Sequence, residues 1–92
     1  MKNLIVYVLL RGTFHEGYGI EEIFFSAELA IAKAEEIVKK ENDSYLKDYV
    51  PDHEKDLIPL FERDSEREKD PVLYSADNEI DYVEVGKFEV KP

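Results

Sequence analysis

Seven consecutive apolar residues, Leu4 to Leu10 in LIVYVLL, open the chain. The run is far shorter than the roughly 20 apolar residues a membrane span needs, and its β-branched and aromatic content predicts a strand inside a sheet. No small-residue cleavage site follows it, so a strand is preferred over a signal peptide. RGTFHEGYG then carries three glycines in nine residues and predicts a turn, after which YGIEEIFFS resumes a strand from Tyr18 to Phe25. The two strands should pair antiparallel as a hairpin.

Beyond the hairpin the period changes from two to 3.6. Ala27, Ala30, Ile31, Ala34, Ile37 and Val38 recur at helical spacing and predict one apolar face of an amphipathic helix. Ser26 is placed to cap it, Glu28 sits in its first turn, and Glu35 with Lys39 and Glu36 with Lys40 are expected as i, i+4 pairs. The helix should end around Asn42 and lie across the hairpin. After it, Pro51 and Pro59 interrupt any long element, although SYLKDYV suits a short helical turn and Leu57, Ile58, Leu60 and Phe61 offer an apolar anchor. VLYS predicts a short edge strand. EIDYVEVGKFEV predicts a closing strand whose apolar phase shifts across Gly86, as a β-bulge would require.

These elements define a single α+β domain over residues 1–92: a small antiparallel sheet of three to four strands, one main helix packed on it, and an acidic, partly helical insertion at about 43–71. The segments VYVLL, IEEIFFSAELAIAKAEEIVKK and IDYVEVGKFEV resemble small bacterial and bacteriophage proteins of unknown function with a hairpin, helix and returning strand. The resemblance covers residues 5–40 and 80–90. It implies that fold and a phage or bacterial context, and transfers no catalytic residue.

Charge narrows the function. The formal net charge is −10, distributed as −1 over residues 1–40, −6 over 41–70 and −3 over 71–92. A field of that sign repels nucleic acid and anionic membranes and attracts basic protein surfaces. The chain contains no cysteine, which removes disulfides and thiolate chemistry and suits a cytoplasmic setting, that of a bacterial host if the protein is phage-encoded.

Catalytic and metal patterns are weak. His15 lies in the glycine-rich turn, and His53 stands beside Asp52, Glu54 and Asp56, but sequence neighbours cannot all face one ion and no HExxH spacing exists. SADNEID holds Asp77, Asn78, Glu79 and Asp81 without the glycine and distal glutamate of a calcium loop, and reads as a structural turn. No enzyme, metal or cofactor is expected.

The segment ERDSEREKD is the densest charge in the chain. If extended, it would place Asp64, Glu66, Glu68 and Asp70 on one side at about 6.6 Å spacing, a row comparable to a phosphate ladder. With Asp77, Glu79 and Asp81, and with Tyr45 and Tyr49 as aromatic anchors, this row is the expected partner-binding surface; Tyr74 is a third candidate anchor, and all three tyrosines suit a core position equally. The expected function is a non-enzymatic acidic binding protein, a phage-encoded inhibitor or nucleic-acid mimic that occupies a basic surface of a host protein. The alternatives are a structural or accessory domain, and a small ligand-binding module or enzyme using the His15 loop.

Overall fold

The computed structural model describes residues 3–48 and 60–90. Five strands, β1 (Leu4–Thr13), β2 (Gly17–Phe24), β3 (Glu62–Arg63), β4 (Val72–Asp77) and β5 (Asp81–Val90), form one antiparallel sheet in the order β2-β1-β5-β4-β3. Among the described residues one α-helix, α1 (Ala27–Asp48), packs on one face. The fold is α+β as expected, but the sheet has five strands rather than three to four. The additional one is β3, two residues long, too short to show a sequence period.

The hairpin forms as read, with Thr13 paired to Gly17 and Tyr7 to Phe24. Gly12 is required there: a Cβ would lie 2.7 Å from the Tyr18 Cα on the neighbouring strand. The helix buries the predicted stripe. Ala30 and Ala34 are fully buried, Ile37 nearly so, and Ile31 and Val38 pack at the margin. Facing them are Leu9 of β1, Tyr74 and Ala76 of β4, and Val83 and Val85 of β5, so α1 lies over the centre of the sheet and not over the hairpin alone. Alanines at the contact let the backbone approach closely. Ser26 Oγ accepts from the Leu29 amide at 3.3 Å, the expected cap.

Three details differ from the sequence reading. The helix continues past Asn42 to Asp48, so Lys39 and Lys40 are mid-helix and Lys47 occupies the last turn. Lys39 pairs with Asp43 at 2.9 Å and Glu36 with Lys33 at 3.6 Å, instead of the Glu35–Lys39 and Glu36–Lys40 pairs. Finally, β5 stays in register with β1 straight through Gly86, and the irregularity falls on β4, between Val72 and Tyr74. The apolar phase of β5 changes because Val83 and Val85 face the helix while Phe88 and Val90 face the other side of the sheet; no bulge is needed.

Asn42 ties the chain together. Its side chain accepts from the Phe61 amide at 2.8 Å and donates to the Phe61 carbonyl at 3.1 Å. This fixes residue 61 beside the helix, where the Phe61 ring joins the core. Of the expected insertion at 43–71, residues 43–48 belong to α1 and 65–67 form a 3-10 turn; residues 49–59 lie outside those described.

Candidate interaction surface

The extended acidic row does not form. Ser65–Arg67 is a 3-10 turn, and a turn of three residues breaks the alternation that would align the four acids. Asp64 caps it, its carboxylate accepting from the Glu66 amide at 3.1 Å. Glu68 folds back against the sheet: Arg63 donates to it through Nε at 2.6 Å and Nη2 at 2.8 Å, and the Ser75 amide donates at 3.3 Å. Those hydrogen bonds, the Arg63 contact foremost, hold the Glu68 carboxyl below the usual carboxylate range. Only Glu66 and Asp70 are left pointing outward, the Asp70 carboxylate 4.0 Å from Lys87 Nζ.

The second acidic group is largely structural as well. Asp77 accepts from the Glu79 amide at 3.0 Å, and the buried Asn78 accepts from the amides of Ile80 and Asp81 at 3.1 and 2.6 Å. Asp81 in turn accepts from the Thr13 hydroxyl at 3.0 Å. This is the hairpin turn expected of SADNEID, in which short polar side chains satisfy the local backbone. Glu79, at φ 75°, is its exposed acid, beside the half-exposed Ile80.

Of the aromatic anchors, Tyr45 is half-buried on α1, and Tyr49 lies outside the described residues, as do His53 and the acids at 52, 54 and 56. Tyr74 is core, 3% exposed, with the Arg63 guanidinium 5.0 Å above its ring; burial, then the charge of Glu35, pushes its hydroxyl pKa up. Beside it a shallow cleft of about 410 Å³ runs between α1 and the β3–β4 end of the sheet. Of its charges, Lys39 pairs with Asp43 and Arg63 with Glu68, while Glu35 has no ion pair among the described residues. His15 is exposed in the β1–β2 turn, and among the described residues no three His, Asp or Glu side chains converge on a common point.

The largest unpaired surface is one the sequence reading passed over. Directly opposed residues in a sheet share a face, and the register places Leu4, Val6, Val8 and Leu10 of β1 with Ile20, Ile23 and Tyr18 of β2 and with Phe88 and Val90 of β5. Among the described residues no element covers the β2–β1 part of this side, while Arg67 of the 3-10 turn reaches its β4–β5 end. Val6 and Val8 are buried only by their neighbours, and the Phe88 ring folds over Gly86, where a Cβ would meet it at 3.0 Å. Leu4, Tyr18, Ile20, Ile23, Phe88 and Val90 remain 47–68% exposed. The sequence signal is LIVYVLL itself: a strand apolar on both faces needs two covers, and the described residues supply one α-helix. Towards β4 the face turns polar, where Glu84 accepts from the Ser75 hydroxyl at 3.1 Å and lies 3.8 Å from Arg67, and Phe14 stacks on Tyr82 with centroids 5.0 Å apart.

No family model, curated protein or solved structure matches this chain. Among the described residues no helix is long and apolar enough to cross a membrane.

Proposed function

We propose that this chain is a non-enzymatic acidic binding protein that occupies a basic surface of a partner protein, of the type that contacts DNA or RNA, in a bacterial or bacteriophage setting. The observation that supports this is the separation of charge from apolar surface. Exposed carboxylates lie on α1 (Glu28, Glu36), on the turns and connections (Glu66, Asp70, Glu79) and on the helix side of β2 and β5 (Glu22, Glu89), while the apolar side of β2, β1 and the end of β5 carries none. With the row of Asp64, Glu66, Glu68 and Asp70 broken, recognition rests on the field of this distributed surface, which steers a basic partner into contact.

Affinity capture from bacterial extract at low and moderate salt, with competition by nucleic acid, tests the proposal. The expected outcome is a basic protein whose capture weakens with salt and is displaced by DNA or RNA. Once it is in hand, Glu66→Gln, Asp70→Asn and Glu79→Gln together should slow association by roughly 3–10-fold and flatten its salt dependence. Capture that ignores both salt and nucleic acid, or no capture at all, would instead support an accessory domain whose acidity serves solubility.

A further inference from the structure

We infer that the open sheet face is a self-association surface, and that its occupant is a second copy of this chain, packed sheet to sheet with both helices outward. This concerns the side of the molecule opposite α1 and stands whether or not the acidic surface binds a basic partner.

Area is the first consideration. Six apolar side chains are 47–68% exposed; the two aromatic ones offer about 150–250 Å² each in full and the four aliphatic ones roughly 60–120 Å² each, which gives a patch of about 450 Å². That lies within the roughly 300–600 Å² of the largest patch on a typical monomer, a size that is often functional. It also supplies more than half of the approximately 800 Å² per partner found in a stable interface, the rest coming from a rim.

Charge is the second, and it selects the occupant. Glu84, opposite Leu10, bounds the patch where it meets β4, and within β2, β1 and the end of β5 it holds no charged side chain; interface cores are depleted of charge and enriched in aromatic residues such as Tyr18 and Phe88. A basic protein gains nothing electrostatic from such a surface. Its complement is another charge-free apolar sheet face, and this chain carries one. Two copies related by a two-fold axis present the same patch to each other, and twisted sheets pack in this way about 10 Å apart.

Net charge is the obvious objection, since each copy carries −10. In a sheet-to-sheet pair both sheets lie between the two helices, but α1 carries six acids and four bases, so most of the −10 lies on the turns and strands around the rim, where the two copies repel across solvent. Charges farther apart than the Debye length, about 8 Å at physiological ionic strength, are largely screened. Association should therefore tighten as salt rises, the reverse of acidic docking on a basic partner.

The test is sedimentation equilibrium of the full chain at low and high salt, with the variants Ile20→Lys and Phe88→Glu. Both positions are about half exposed or more, so a charge there leaves the fold intact, which circular dichroism checks. The wild type should approach twice 10.7 kDa, more completely at high salt, and each variant should fall to monomer mass. Since the chain has no cysteine, Ile23→Cys gives a single thiol whose alkylation should slow several-fold as protein concentration rises. A wild type that stays monomeric in all conditions overturns the inference. So does a dimer that survives both charge substitutions, which would place the interface elsewhere, for instance along the β2 edge, and so does a thiol whose reactivity is independent of concentration.

Discussion

The helix-covered face of the sheet and its open face are built from the same strands, and in β1 from alternate residues of one apolar run. Tyr7 and Leu9 point towards α1, while Leu4, Val6, Val8 and Leu10 point away. Leu9 is fully buried; Leu4 is half exposed. Hydrophobicity does not separate the two faces, and what does is the presence of a covering layer. On the covered side each apolar group has already exchanged water for protein, and its burial is part of the folding free energy. On the open side the same kind of side chain still holds that free energy in reserve, available to whatever packs there.

Substitutions at matched positions break this comparison most sharply. Leu9→Ala and Ile37→Ala each remove a packed side chain from beneath or within α1 and should cost about 2–5 kcal/mol. Ile23→Ala, on the open face, should cost the isolated chain about 0.5 kcal/mol or less. Denaturant unfolding at low protein concentration reads both. Equal losses at Leu9 and Ile23 would mean that the two faces are not distinct.

A smaller effect tests how the covered side is closed. Asn42→Ala leaves the Phe61 amide and carbonyl without their partner, and should cost about 1–3 kcal/mol. Unfolding midpoints would show it, and a neutral result would mean that water satisfies those groups equally well.

The smallest effect belongs to the charged turn. Glu68 has its pKa lowered below 4.5 in the folded state, so the unfolded chain takes up this proton first as pH falls. The contribution is fully present above the unfolded value and disappears as pH drops through the lower folded one. The pair is partly exposed at Arg63, which limits it to about 1 kcal/mol or less. Glu68→Gln should therefore lower stability slightly at neutral pH and make its decline below about pH 4.5 shallower, which thermal melts across that range would detect.

How far the sequence revealed these features depends on the range of the interactions behind them. The α1 stripe was legible because helical periodicity is local, and Ala30, Ala34 and Ile37 lie where the 3.6 period puts them. The helix end was not, because Asn42 looks like a stop signal in sequence but bonds to the backbone of a residue 19 positions away. The closing strand is legible, but its change of phase imitates a bulge, since a strand whose apolar residues face the helix in one half and the open side in the other looks the same in one dimension. The acidic row failed for a related reason: alternation along ERDSEREKD matters only in an extended chain, and Asp64 and Arg63 use their side chains to bend and tie it. Ser75, which donates to Glu68 from seven residues on, could not be anticipated from spacing.

The distinction between a face that holds the fold and a face that awaits a second copy is tested most directly by the dependence of the thermal midpoint on protein concentration. Association of the native state alone raises the midpoint by mass action. The account predicts that the wild-type midpoint climbs steadily over about a hundredfold range of concentration, while that of Ile20→Lys stays level and meets the wild-type value at the dilute end. A wild-type midpoint that does not move with concentration would contradict it.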